Sequence, residues 1–382
     1  MINNVELLQE KQYLFRQMDD ALCAFRQQNP QADIINMGIG DVVEPLAPVV
    51  VRAIRQAAQD MGDTARFRGY PPTAGYEFAR QAVAQYYADM GIDVRLLSIG
   101  IGSGAKDELG IWSRIFDPSV PALIASPCYP AYVDVAHLNG RRVVYAYASE
   151  AHSLPLPQDI AKGQYLVYLC SPNNPTGACY TQAELQAWVD YACDTGSVLL
   201  FDAAYAAFAY PYSIFSCRNA EYCCIEIGTL SKSASFSGMR FGWSTVGAKL
   251  QSGIAMRAYM KYKSYVTNGV SYIVQRAGEA ALSKEGMTYS HTVIEGYKQK
   301  ASRLADALAF WGLQCNVGPY VWVKVPNKIS ADPFGIVLKN AHIVVTDGRG
   351  FGAKGEGYMR LSVFALGSRV EETIDRLASV LL

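Results

Sequence analysis

Compact apolar runs, each bounded by Pro, Gly, Asp or Ser, recur through the middle of the chain: Ala122-Leu123-Ile124-Ala125, Arg142-Val143-Val144-Tyr145, Tyr165-Leu166-Val167-Tyr168-Leu169 and Val198-Leu199-Leu200-Phe201. Runs this short read as strands. Between the last two, Thr181-Gln182-Ala183-Glu184 has the form of a capping box and opens a helix through Tyr191. Strands alternating with helices predict an α/β fold with a mainly parallel sheet, and in such sheets ligand sites collect at the carboxyl ends of the strands. Further on the pattern changes. Helical stretches at residues 271–282 and 297–311 are followed by strands at 320–325, 343–346 and 357–362, and a closing helix starts at Ser368. This predicts a smaller α+β unit. The chain divides accordingly into a large domain over residues 40–280 and a small domain made of 1–39 and 281–382. Glycines clustered over residues 348–357 predict a mobile loop.

At 382 residues the chain exceeds one small domain, and 51% hydrophobic content suffices for a substantial core. The 34 Lys plus Arg balance 34 Asp plus Glu, so no global field recruits nucleic acid or an anionic membrane, and the partner is expected to be a small molecule. No apolar stretch reaches the roughly 18 residues a membrane helix needs, and the N-terminus lacks the basic segment and apolar core of a signal peptide. A cytoplasmic protein is expected. The nine cysteines contain no C-x-x-C pair and include members of apolar runs such as Tyr168-Leu169-Cys170. They read as buried free thiols rather than a metal site or a disulfide framework.

Polar motifs directly follow the apolar runs. Gly100-Ile101-Gly102-Ser103-Gly104-Ala105-Lys106 is either a plain tight turn or a phosphate cradle at a helix start. It matches neither a Walker A sequence nor G-x-G-x-x-G, which disfavours nucleotide readings. Ser171-Pro172-Asn173-Asn174-Pro175-Thr176-Gly177 is a stiff turn that could also fix the Asn174 amide at a strand end. Asp202 closes an apolar strand, where a carboxylate needs a partner. It either caps the next helix or meets a cationic ring nitrogen. In Thr229-Leu230-Ser231-Lys232, with Arg240 eight residues on, hydroxyls and a guanidinium suit a phosphate dianion. Lys232, once deprotonated, can react with an aldehyde; otherwise it is a solvated charge.

In this order the motifs resemble the class I/II aminotransferases, pyridoxal-phosphate-dependent transferases of fold type I. The resemblance runs from Asn36-Met37-Gly38-Ile39-Gly40-Asp41 to the last helix. Within that family the chain is most similar to the LL-diaminopimelate aminotransferases, through Gly104-Ala105-Lys106, Pro127-Cys128-Tyr129-Pro130-Ala131-Tyr132, Asp202-Ala203-Ala204-Tyr205 and Pro319-Tyr320-Val321-Trp322-Val323-Lys324. The resemblance implies a seven-stranded, mainly parallel sheet in the large domain. It implies that Lys232 forms the Schiff base with pyridoxal 5'-phosphate and moves the proton between Cα and C4′. Asp202 would pair with the ring nitrogen, and Asn174 and Tyr205 would bond the phenolate oxygen. Tyr129 would stack on the ring. Ala105, Lys106, Thr229, Ser231 and Arg240 would bind the phosphate, with Tyr70 reaching over from a second subunit of a homodimer. Arg360 would take the substrate carboxylate, assisted by Asn174, while Gly40, Tyr13, Lys106 and Asn268 would also touch substrate.

The departures lie around the substrate. The diaminopimelate enzymes follow Gly-Tyr-Gly-Pro with an acid, whereas this chain has Gly69-Tyr70-Pro71-Pro72-Thr73-Ala74-Gly75. Their Thr-Pro-Gly loop reads Thr346-Asp347-Gly348 here, and Asp107 precedes Glu108 where one acid is usual. Asp347 is therefore the expected replacement for the missing carboxylate. The favoured reaction is ping-pong exchange between glutamate plus tetrahydrodipicolinate and 2-oxoglutarate plus LL-diaminopimelate. The alternatives are an aminotransferase for another amino acid, aromatic or basic, and a carbon–sulfur lyase. A non-catalytic relative would be expected to lack Lys232, Asp202 or Arg360, and a nicotinamide dehydrogenase would need a glycine fingerprint.

Overall fold

The computed structural model describes residues 14–209 and 213–382. The chain begins with α1 (Leu14–Gln28), β1 (Ile35–Asn36), α2 (Pro48–Met61) and α3 (Glu77–Asp89). The α/β section follows as β2 (Leu97–Gly102), α4 (Ala105–Ile115), β3 (Ala122–Ala125), α5 (Pro130–Leu138), β4 (Val143–Ala146), β5 (Leu166–Cys170), α6 (Gln182–Thr195), β6 (Val198–Asp202), α7 (Ala220–Cys223), β7 (Cys224–Thr229) and β8 (Gly242–Gly247). Then come α8 (Ile254–Val266), α9 (Tyr272–Leu282), α10 (Lys284–Phe310), β9 (Cys315–Val317), β10 (Tyr320–Lys324), α11 (Pro333–Ala341), β11 (Ile343–Val344), β12 (Thr346–Asp347), β13 (Tyr358–Ser362) and α12 (Val370–Leu381).

Seven strands form one sheet in the order β2-β8-β7-β6-β5-β3-β4. The pairs among β4, β3, β5, β6 and β7 are parallel, whereas β8 runs antiparallel to both β7 and β2. The alternation of side chains explains the central position of β5 and β6. Leu166, Tyr168, Val198 and Leu200 enter the apolar layer on one face; Val167, Leu169, Leu199 and Phe201 enter the layer on the other. A strand covered on both faces must be apolar throughout.

Thr181 caps α6 as expected, accepting from the Glu184 amide while Glu184 accepts from the Thr181 amide. The helix continues past Tyr191 to Thr195 and stops at Gly196, which is left-handed at φ 69°. The helix read at 297–311 is the second half of the 27-residue α10. Gly286 obscures its start in the sequence. A Cβ there would run into the carbonyls of Ala280 and Ala281, so glycine allows α10 to meet the end of α9 rather than breaking a helix.

A four-stranded sheet, β12-β13-β10-β9, gathers the later strands. The run expected as one strand at 343–346 is split: β11 pairs with β1, and β12 pairs with β13. Residues 348–357 are more structured than a plain loop. They form two short 3-10 turns, 348–351 and 353–355, with Phe351 buried. One apolar cluster runs without interruption from Ile124 and Leu200 in the large sheet to Val321, Leu361 and Leu377 beyond the small one.

Inside the large sheet Glu226 is buried, accepting from Tyr87, from the Ser213 hydroxyl and from the Ile214 amide at 2.9, 2.7 and 2.9 Å. Burial pushes its carboxyl up to about 7 from an ordinary 4.5. Below pH 4.5 the group is protonated in folded and unfolded chains alike. As pH rises toward 7 the unfolded chain ionises more readily, so stability falls and then levels off, by on the order of 3 kcal/mol. Urea unfolding at pH 5 and pH 8 should therefore shift in favour of Glu226→Gln, relative to wild type, at the higher pH.

Candidate active site

Five parallel-running strand ends and one strand start converge on one edge of the large sheet. The ends of β2, β3, β5, β6 and β7 lead into Ser103-Gly104, Ser126–Tyr129, Ser171–Gly177, Ala203–Tyr205 and Leu230–Lys232. Because β8 is antiparallel, its beginning lies at the same edge and supplies Arg240. The expected polar motifs thus come together although Ser103 and Arg240 stand 137 positions apart.

Asp202, 4% exposed, accepts from Tyr132 at 2.6 Å through Oδ2 and from the Ala204 amide at 3.0 Å through Oδ1. No cation pairs with it among the described residues. Burial pushes its carboxyl above the ordinary range, partly offset by these two bonds. The sequence offered helix capping as the alternative for Asp202. Its bond to Ala204 is a local turn of that kind, while Tyr132 is a tertiary partner. A carboxylate in this setting is prepared for a cationic, hydrogen-bonding partner.

The start of α4 lies beside Thr229, Ser231 and Arg240. Its first-turn amides have no partner within the helix. The Thr229 and Ser231 hydroxyls are 2.9 Å apart, and Arg240 Nη1 is 3.4 Å from Ser231 Oγ. Gly104 holds φ 125°, a conformation open to glycine, and a Cβ there would collide with the Arg240 guanidinium. A Cβ on Gly242 would press on the Gly104 backbone at 2.8 Å. These glycines let the start of α4 and Arg240 close up beside the Thr229 and Ser231 hydroxyls. Arg240 itself sits at φ 61° and pairs with Asp107 at 3.3 Å, so the extra acid seen in the sequence touches this cradle. Lys106 is exposed on the same helical turn.

Lys232 follows β7 and donates to the Gly40 carbonyl, with its Nζ 5.9 Å from the Phe364 ring centre. Tyr205 exchanges a hydrogen bond with Tyr320 at 2.8 Å and receives one from Asn174 at 3.3 Å. Arg360, 1% exposed on β13, donates to Asn174 Oδ1 at 2.9 Å and to the Gly38 carbonyl at 2.7 Å. Its guanidinium stacks 4.0 Å from the Tyr320 ring centre, with Phe351 at 4.9 Å and Phe15 at 5.4 Å. Its Nε has no hydrogen-bond partner, and no carboxylate pairs with Arg360 among the described residues. A desolvated guanidinium with a free donor calls for a planar anion.

The family model for aminotransferase class I and II matches residues 32–381. The chain belongs to the class I and II aminotransferases. It is 36% identical to an LL-diaminopimelate aminotransferase of Lachnospira eligens and 34% identical to one of Methanosphaera stadtmanae, covering 99% of this chain in both cases and 99% and 98% of those proteins. The solved L,L-diaminopimelate aminotransferase of Chlamydomonas reinhardtii superposes with a TM-score of 0.92 at 30% identity, covering 100% of this chain and 99% of that one. Enzymes of this family use pyridoxal phosphate, and the aminotransferase fits it on three counts. Asp202 is a buried acid without a cation among the described residues, the Gly104 turn packs against Arg240 beside two hydroxyls at a helix start, and Lys232 follows β7 at the same sheet edge.

Not every expected residue joins this cluster. Tyr129 stands at the start of α5, edge-on to Tyr132 at 5.5 Å. Tyr70 is 84% exposed, and Asn268 is exposed next to Gly269, whose Cβ position meets Pro71 at 3.0 Å. The two therefore share an exposed edge. Tyr13 lies outside the described residues. The expectation for Asp347 is corrected. On β12, Thr346 pairs with Arg360 and Asp347 with Met359, so Asp347 faces the opposite side, and its carboxylate is bound by Arg349 at 2.5 Å. Tyr132 and Tyr320 were not singled out in the sequence. Tyr132 lies one helical turn after Tyr129, and Tyr320 lies two residues before Trp322, the register partner of Arg360; these spacings were the available signals.

Replacing Arg360 with Lys removes the fork while keeping the charge. KM for amino donor and oxo acid should rise roughly 10- to 100-fold, with cofactor content unchanged, as steady-state kinetics and absorbance would show. Asp107→Asn removes a like charge from the cradle. The apparent Kd for pyridoxal phosphate, measured by reconstitution of the apoenzyme, should fall several-fold.

Proposed function

We propose that this aminotransferase exchanges an amino group between LL-diaminopimelate and 2-oxoglutarate, in the direction that forms glutamate and tetrahydrodipicolinate or its reverse, by a ping-pong route. The buried, unpaired Arg360 guanidinium carries the reading that an amino acid's carboxylate docks here. The names of the relatives and of the structural neighbour support diaminopimelate as that amino acid.

When bound, pyridoxal phosphate supplies an aldehyde that carries the amino group and a ring that accepts electrons. Lys232 would hold the aldehyde carbon and, once displaced by the substrate amine, move the proton between the substrate Cα and C4′. Asp202, fixed by Tyr132 and the Ala204 amide, would retain the ring-nitrogen proton. Asn174 and Tyr205 would donate to the phenolate oxygen, and Tyr129 would cover the ring. Ala105, Lys106, Thr229, Ser231 and Arg240 would hold the phosphate. Arg360 would orient the α-carboxylate with Asn174 and Gly40, putting the Cα hydrogen within reach of Lys232.

A homodimer with shared sites belongs to the proposal. The exposed edge carrying Tyr70 and Asn268 is where a second copy would receive both residues. The division into a large domain of residues 40–280 and a small domain of 1–39 and 281–382, and a cytoplasmic location, are part of the same reading. A second reading, transamination of a different amino acid, is favoured by Pro71-Pro72-Thr73, which carries no acid, and by the place of Asp347 on the face of β12 opposite Arg360.

Absorption spectra of the holoenzyme on adding LL-diaminopimelate, and separately L-glutamate, test the substrate. Both should convert the aldehyde form of the cofactor to the amine form, and Lys232→Ala should abolish the conversion. Conversion by glutamate alone would discard diaminopimelate and keep the transaminase. Asp347→Asn should leave the ratio of kcat/KM values for the two donors within about twofold, since the side chain faces away.

A further inference from the structure

At the opposite edge of the large sheet, where β6 and β7 begin, α6 and α7 end side by side. Cys193 lies in the last turn of α6 and Cys223 closes α7. Their sulfurs are 3.6 Å apart, and Cys223 Sγ is also 3.6 Å from that of Cys224. Each thiol of the first pair reaches toward the other helix: Cys193 Sγ lies 3.8 Å from the Asn219 carbonyl, and Cys223 Sγ lies 3.8 Å from the Val189 carbonyl. Cys193 is exposed and Cys223 buried. Cys193 is thus an exception to the sequence reading of the cysteines as buried free thiols. Both line a surface pocket of about 430 Å³, together with Ser197, Tyr222 and Gln251. One wall of that pocket is a turn in which Gln251 and Ser252 hold φ 48° and 56°, both left-handed.

We infer that Cys193 and Cys223 are a reversible dithiol, open through this pocket to low-molecular-weight disulfides of the glutathione class. In the first step the Cys193 thiolate attacks one sulfur of the reagent, its S–S bond breaks, and one thiolate leaves. The Cys223 thiolate then attacks Cys193 Sγ, the mixed disulfide breaks, and the second thiolate leaves. Two protein thiols are oxidised by two electrons, one disulfide is reduced to two thiols, and the protons pass to the departing thiolates. Exposure assigns the entering role to Cys193, and depth assigns the resolving role to Cys223. Burial and then the neighbouring Cys223 push the Cys193 thiol up to about 12, whereas hydrogen bonding from Cys224 and then from Cys193 holds the Cys223 thiol below its ordinary range despite burial, so Cys193 enters by its exposure and Cys223 is the readier thiolate for the resolving step. To form the bond the 3.6 Å between the sulfurs must close to a disulfide length of about 2.05 Å. Cys224 is a poorer partner, because it is fully buried inside β7 and adjacent in sequence to Cys223.

The test is to titrate the holoenzyme with glutathione disulfide, quench with acid, and map peptides by mass spectrometry. Expected are a Cys193–Cys223 linked peptide, two glutathiones released per site, and full reversal by dithiothreitol. Exposed Cys23 on α1 is the single-thiol control and should stop at a mixed disulfide. In Cys223→Ser, Cys193 should accumulate as a stable glutathione adduct. If that variant does not fold, Cys193→Ser, altered at an exposed position, should abolish the linked peptide and leave Cys223 unmodified. A stable adduct on Cys193 in the wild type, a Cys223–Cys224 link, or no reaction at Cys193 would each overturn the proposal.

Discussion

Two opposite charges are buried at this site, and neither neutralises the other. Asp202 ends a strand of the large sheet and Arg360 lies in a strand of the small one, each with hydrogen bonds but without an ion partner among the described residues. Removing an ion from water costs several kcal/mol unless something compensates it. Hydroxyls, amides and carbonyls partly do so here, and they define the site as they do it. Asn174 accepts from Arg360 and donates to Tyr205, Tyr205 meets Tyr320, and the Tyr320 ring lies against the guanidinium. This closed circuit fixes four side chains from four separate elements, so the geometry that receives a carboxylate is set before one arrives.

Sheet direction explains how so short a list of residues can be brought together. Parallel strands send their carboxyl ends to one side, where the following loops are free to carry polar groups. The antiparallel β8 extends that rule, because reversal brings its start to the same side and places Arg240 against the hydroxyls after β7. Glycine has a matching part at Gly104 and Gly242, where a side chain would collide with the Arg240 guanidinium or the Gly104 backbone and push the two elements apart.

Much of this was legible in the sequence because the motifs follow strands that announce themselves. β5 and β6 are apolar at every position until a polar residue marks their ends, and Asp202 and Asn174 could be read from that punctuation, whereas Lys232 was read from its neighbours Thr229, Ser231 and Arg240 because Glu226 interrupts β7. Tyr132 and Tyr320 were harder. Their partners lie 70 and 115 residues away, and an aromatic residue in an apolar run has the same local pattern whether or not its hydroxyl is used. Asp347 shows the converse error. The departures from the resembled family's motifs suggested that one acid replaced another, but the pleat of β12 decides which face an acid occupies, and register is not visible in a motif. The start of α10 was hidden by Gly286, a residue that usually signals a break and here permits close packing.

The uninterrupted apolar cluster between the two sheets has a mechanical consequence. Swinging the small sheet as a rigid body would separate Tyr297, Phe208 and Phe364, whose rings pack across the seam. Helix α1 is attached differently, through a minor cluster of Met18, Leu22, Leu338 and Val344, and its Leu14 rests on Gly350 of the 348–351 turn. Phe15 and Phe351, from these two pieces, form the lid over Arg360. The site is thus held by unequal amounts of apolar packing, its floor by the continuous cluster and its cover over Arg360 by two locally packed pieces.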